Sequence, residues 1–184
     1  MRRPLGALLM GVVVACSLLV APGTALAYTL EGYRWGGNPT GGTCCATFTV
    51  QFSPYWYAGD KEAFQGGVTN WTSSAAPVIY KATASSPLTV DDTNNSSVTW
   101  DGITNYTYSG GGFSKVQALL NHYYTTNYNS SQSLGIAVHE LGHAVGLGHT
   151  SGCNIMVGNT PARWGTCRLT TPQSDDINGM KALY

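Results

Sequence analysis

Charge is what this sequence most lacks. Only 10% of its 184 residues are charged, against about 25% in an average soluble domain, and nine Lys and Arg balance nine Asp and Glu. Without a basic excess no face is available to neutralise a phosphate backbone, which excludes nucleic acid as the expected partner. Internal repeats and long linkers are absent as well, so neither a solenoid nor a string of domains is expected. The one long apolar run, Leu5 to Val20, is stopped by Pro22 and Gly23, short of the roughly 20 residues that cross a bilayer.

The flanks of that run give it another meaning. Arg2 and Arg3 stand before it and Ala25-Leu26-Ala27 after it, the charged start and small-x-small end of a secretory signal. The expected organisation is a signal peptide over 1–27 and one domain over 28–184. The mature protein would be secreted and extracellular, with no membrane attachment and no partner copy. Of five cysteines, Cys16 leaves with the signal, and Cys44, Cys45, Cys153 and Cys167 remain. In an oxidising compartment these four read as disulfide partners, for which three pairings are open. A hydrophobic content of 43% supplies a core, and 23 Gly among many Ser, Thr, Asn and Tyr give a neutral, hydroxyl-rich surface.

Along the chain, Gly36 to Gly42 reads as an irregular loop and the alternation over Thr47 to Phe52 as a half-buried strand. Ala63, Phe64, Val68 and Trp71 recur at helical spacing over 61–71, although Gly66-Gly67 weakens that helix. Strands are expected at 78–84 and 97–100, with turns at 85–87 and 91–95. Tyr106 to Tyr108 suggests a short edge strand closed by Gly110 to Gly112, and Val116 to Leu120 fits a strand or a short helix. Strand-rich first and helix-rich later, the order gives an α+β class.

From Ser130 or Ser131 as N-cap, a helical pattern runs through Leu134, Ile136, Ala137, Val138, Leu141 and Val145. It carries His139-Glu140-Leu141-Gly142-His143. Residues four apart share a helix face, so both imidazoles can address one ion. A catalytic zinc takes three protein ligands and keeps one open position. Gly146 can end the helix with a positive φ and return the chain so that His149 reaches the same point. Glu140 is offset by about 100° from His139 and within reach of a water on the metal. That combination predicts peptide-bond hydrolysis by a zinc-activated water, with Glu140 as general base and later proton donor to the leaving amine.

The stretch HELGHAVGLGH, with Asn154-Ile155-Met156 after it, resembles the metzincin clan of zinc peptidases, whose signature is H-E-x-x-H-x-x-G-x-x-H and a methionine turn. HELGHAVGLGHT together with Leu169 to Met180 looks like its matrixin branch, in the manner of the small secreted bacterial members, with some likeness to snapalysin. The clear resemblance covers about residues 130–184. It implies a zincin-like catalytic domain with a twisted mixed β-sheet, an active-site helix and a C-terminal helix, and protein or peptide substrates running along an edge strand. It also implies Met156 as a packing floor beneath the zinc, and Asp175 or Asp176 as a tie between the C-terminal helix and the methionine turn. An aspartate of that pair would receive the amino group of Tyr28. A Cys153–Cys167 disulfide bracketing the turn and the loop with Arg163 and Trp164 follows from the same likeness. Thr171 as N-cap and Pro172 at the first helical position point independently to the C-terminal helix.

The likeness has gaps. Nothing between Ala27 and the first strand matches the cysteine switch of matrixin zymogens, and the ligands for a structural zinc are missing. His122 is the histidine left over and reads as a surface residue. Asp91 and Asp92 are the only hint of a calcium site, which stays unsupported. The competing function is a secreted zinc-containing binding module, or a carbohydrate-binding protein, since 11 Tyr and five Trp would suit such a surface; Glu140 is the residue that such a module would not need.

Overall fold

The computed structural model describes residues 28–35 and 45–184. The signal-peptide segment, the 36–42 loop and Cys44 lie outside the described residues. A five-stranded sheet in the order β3-β2-β4-β6-β5 is built from β2 (Ala46–Phe52), β3 (Val78–Thr83), β4 (Leu88–Thr93), β5 (Gly102–Ser109) and β6 (Gly112–Asn121). All neighbouring pairs are parallel except β5, which lies antiparallel to β6 at the edge. The expected mixed sheet and α+β class are thus what the chain adopts.

Helix α1 (Asp60–Thr72) connects β2 to β3 and packs on α3 (Ser130–His143). Here the glycines that weaken the helical signal have their use. A Cβ on Gly67 would come within 2.9 Å of Leu141 Cδ1 and 3.4 Å of the Ala137 carbonyl carbon, and one on Gly66 within 2.8 Å of Leu134 Cδ1. Their loss of helix propensity, about 1 kcal/mol each, is accepted for closer helix packing. Trp71 and Tyr80 are buried and seal this contact, their ring donors reaching Val138 O at 2.8 Å and Leu141 O at 2.6 Å.

Several boundaries differ from expectation. Residues 91–93 of the expected 91–95 turn are instead the end of β4, because Leu88 and Val90 bury one face while parallel pairing with β6 runs from Leu88↔Val116 to Thr93↔Asn121. Tertiary pairing overrides the poor strand preference of Asp91 and Asp92. The strand expected at 97–100 does not form: Asn95 Oδ1 accepts from Ser97 N at 2.9 Å, and Asn121 Nδ2 donates to Asn95 O and Trp100 O. Those side chains give the backbone a local alternative to a ladder. The short edge strand at 106–108 extends over all of β5, closed by Gly110 and Gly111 at φ 61° and 84°. The ambiguous 116–120 run is strand β6.

Helix α2 (His122–Thr125) leads to α3, whose N-cap is Asn129 rather than a serine. Asn129 Oδ1 accepts from Gln132 N at 3.0 Å while Gln132 Oε1 accepts from Asn129 N at 3.1 Å, a reciprocal box that neither Ser130 nor Ser131 can complete. Strand β7 (Leu147–Gly148) follows and pairs with β1 (Thr29–Leu30). A π-turn at Pro161–Thr166 precedes α4 (Ser174–Leu183). Its N-cap is Gln173, two residues later than Thr171, because Asp176 Oδ2 accepts from Gln173 N at 2.7 Å. The described residues contain no helix long and apolar enough to cross a membrane.

Candidate metal centre and active site

Helix α3 ends at His143, and Gly146, at φ 115°, swings the chain back. Space as well as angle excludes other residues there, since a Cβ would lie 2.8 Å from Tyr33 O. His139, His143 and His149 are brought together as expected, and they form the group able to hold a metal ion among the described residues, their nearest ligand atoms all within 4.8 Å of one another. His139 Nε2 stands 3.0 Å from His143 Nε2 and 3.2 Å from His149 Nε2.

These separations fit one cation between the rings. His139 Nδ1 faces Ile155 O at 2.8 Å and His143 Nδ1 faces Leu147 O at 2.7 Å. Carbonyls only accept, so both Nδ1 atoms carry a hydrogen, and in the neutral ring each Nε2 is then the atom that presents its lone pair to an ion. Tetrahedral bonds of about 2.0–2.1 Å place two nitrogens about 3.3 Å apart, close to what is seen, and the all-imidazole donor set suits zinc. Burial pushes the His139 ring well below its ordinary pKa, with Arg163 adding to the effect, and burial likewise lowers His149. For His143 burial acts in the same direction but is outweighed by Glu31, Glu140 and the Leu147 carbonyl.

Glu140 is 4% exposed and sits behind this cluster at the wall of a cleft of about 550 Å³. Burial pushes its carboxyl above the ordinary range, against the pull of His143 and a hydrogen bond from Thr104. Thr104 Oγ1, on β5, donates to Glu140 Oε2 at 2.7 Å. Gly102 on the same strand leaves room for the carboxylate, as a Cβ there would come within 2.7 Å of Glu140 Oε1. Ile103, Thr104 and Tyr106 of the edge strand line the cleft with Glu140.

Met156 is buried against α3, where a Cβ on Gly142 would run into its Sδ. Asp176 holds the methionine turn, its carboxylate accepting from Ile155 N at 2.9 Å and Met156 N at 3.1 Å, and Thr150 Oγ1 reaches Asp175 Oδ2 at 3.3 Å. Tyr28 lies over Gly179, on the same helix as those aspartates. Cys153 and Cys167 are bonded, their Cα atoms 5.5 Å apart. Cys45 is disulfide-bonded too.

Arg163 and His122 have roles the sequence gives no sign of. Arg163 is 3% exposed and donates to Ile155 O, Thr160 Oγ1 and Val157 O at 3.1, 3.2 and 2.9 Å. It thereby fixes the carbonyl that orients His139. His122, expected as a surface residue, is half-buried and has partners: its Nδ1 lies 3.0 Å from the buried Asp60 Oδ2, and its ring stacks on Tyr57 with centroids 4.4 Å apart. Asp91 Oδ1 and Asp92 Oδ2 accept from Asp92 N and Tyr57 N, and they belong to no metal-holding group among the described residues.

A family model described as Matrixin matches residues 59–184, from just before α1 through α4 and including the whole histidine cluster. The chain belongs to the matrixin family. This matrixin is a zinc metalloendopeptidase, with His139, His143 and His149 placed to hold the metal. Its backbone is also similar to that of High choriolytic enzyme 1 (HCE-1), a hatching enzyme zinc-protease from Oryzias latipes (Medaka fish). The identity is 13% over 84% of this chain and 94% of that chain, with a TM-score of 0.48. No curated protein matches the chain.

Proposed function

We propose that this matrixin is a secreted, monomeric endopeptidase in which Glu140 is the general base, acting on protein or peptide chains laid along β5. The observation that carries the reading is the placement of Glu140: a buried carboxylate one residue after a ligand, at the cleft wall, with one oxygen held by Thr104 at 2.7 Å. Zinc held by His139, His143 and His149 would supply a Lewis acid to this cleft.

The chain's own groups do the rest. Edge strand β5 offers an extended substrate unpaired backbone groups and so lays the scissile bond across the cleft. Glu140 takes a proton from the attacking water and passes it to the departing amine, a role helped by a carboxyl whose burial raises its proton affinity. Secretion is supported by the charged, apolar and small-residue sequence of 1–27 and by the disulfides at Cys45 and Cys153–Cys167.

The test is Glu140→Ala, which keeps the three zinc ligands. Stoichiometric zinc by elemental analysis with loss of casein hydrolysis is the expected result. Undiminished hydrolysis would remove Glu140 from the mechanism, whereas a zinc-loaded parent protein that itself cuts nothing would return weight to the binding-module alternative. Recovery of the protein from the medium with Tyr28 at its amino terminus checks secretion and cleavage after Ala27.

A further inference from the structure

His149 stands outside the regular part of α3, and something other than the helix must hold it. The segment Tyr28 to Glu31 is in place to do so. β1 pairs with β7 in the register Thr29↔Gly148 and Leu30↔Leu147, Glu31 N donates to Gly146 O at 2.9 Å, and Thr29 Oγ1 donates to the His149 carbonyl. Among the described residues, the two-residue strand that leads into His149 thus pairs with β1 alone, more than a hundred residues earlier in the chain. Gly148 makes the approach close: a Cβ there would lie 2.7 Å from Thr29 Oγ1.

The segment also reaches a second ligand. Glu31 Oε1 is 3.2 Å from His143 Nδ1, the nitrogen opposite the one that faces the metal position. The Nδ1 hydrogen is shared between this carboxylate and the Leu147 carbonyl at 2.7 Å. A carboxylate behind a metal-binding imidazole fixes the ring's tautomer and rotation and makes the opposite nitrogen a better donor. Glu31 is 30% exposed and borders the cleft, so it can hold this position without the cost of full burial.

We infer that Tyr28 to Glu31 is a working part of the metal centre: Glu31 is a positioning residue for His143, and the β1–β7 pairing positions His149. Zinc affinity then depends on the first residues after the signal segment as well as on the H-E-x-x-H motif. The inference rests on the zinc triad and not on proteolysis, so a protein that held zinc in this way yet cut nothing would sink the proteolytic reading alone.

The experiment strips the purified protein of zinc and titrates the metal back against a chromophoric chelator, for the parent, Glu31→Ala, Glu31→Gln and Thr29→Val. The expected loss of zinc affinity is about 10- to 100-fold for Glu31→Ala. Glu31→Gln should lose less, because an amide oxygen still accepts from Nδ1. The cobalt-substituted protein should show displaced visible bands in Glu31→Ala and near-parent bands in Glu31→Gln, while the melting temperature of the metal-free proteins stays together. Thr29→Val, which removes only the hydroxyl bond to His149, should weaken zinc without changing charge. Parent-like zinc affinity and cobalt bands in Glu31→Ala overturn the inference. If Glu31→Ala does not fold without metal, parent-like affinity in both Glu31→Gln and Thr29→Val overturns it equally.

Discussion

Thr104 Oγ1 donates to Glu140 Oε2 at 2.7 Å and also lies 3.1 Å from the Glu140 backbone carbonyl. One hydroxyl on the edge strand therefore sets both the position of the helix and the direction of its carboxylate. A hydrogen bond to a charged group contributes about 1.5–3 kcal/mol. If that energy goes into aiming the base, Thr104→Val should lower kcat by about 10- to 100-fold with little change in KM or zinc content. Steady-state kinetics on a peptide substrate, beside metal analysis, checks this. A change confined to KM would place Thr104 in substrate binding instead.

Asp176 is 1% exposed and accepts from three backbone N–H groups, those of Gln173, Ile155 and Met156. It caps α4 and suspends the methionine turn at once. Asp176→Ala leaves three donors without their acceptor, at a cost of about 3 kcal/mol or more, and should lower Tm by roughly 10 °C. Zinc affinity should fall with it, since the Ile155 carbonyl that orients His139 sits on the same turn. Calorimetry of Asp176→Ala reads the first effect, and zinc titration reads the second.

The parts of this molecule legible in its sequence are those whose cause is local. His139 and His143 share a face because the helix repeat dictates it, and Gly146 announces the turn that returns His149. Alternation in 47–52 gives β2 for the same reason. The partners of Glu140 and His143 are another matter: Thr104 and Glu31 reach them only after β5 and β1 have docked, and nothing near either residue marks it. Asp91 and Asp92 mislead because their turn preference is real but weaker than six register pairs with β6. Gly66-Gly67 misleads in the opposite sense, as a locally poor helix chosen for its fit to Leu134 and Leu141.

The Cys153–Cys167 bond closes a loop with a sequence separation of 14 that contains Met156 and Arg163. In the chain-entropy picture a loop of this size contributes about 3 kcal/mol. The paired change Cys153→Ser with Cys167→Ser should therefore reduce stability by about that amount, measured by urea denaturation of the metal-free protein. The Thr150 N to Met156 O bond and the Asp176 bonds stay in place, so zinc stoichiometry should remain one per chain. Loss of the metal at that stage would show the disulfide, and not Asp176, to be the main support of the turn.

The pH dependence of stability should carry the mark of Asp92. Burial raises its carboxyl from 3.8 to about 6, against the Tyr57 N–H that favours the charged form, with Asp60 and Asp91 adding repulsion and His122 opposing them. A folded-state value above the unfolded one means that the folded protein binds the proton more tightly. Its contribution to stability is therefore fully present below the unfolded value near 4 and is lost as pH rises through about 6. Between those limits the metal-free protein should become less stable as pH increases. Buried Asp60 and Asp176, both shifted upward chiefly by burial, act in the same direction. Asp92→Asn keeps an oxygen for Tyr57 N and cannot ionise, so it should flatten the slope in that window and be the more stable protein at pH 7. Urea denaturation at half-unit intervals from pH 4 to 7.5 reads both, and an unchanged slope would take Asp92 out of the titration.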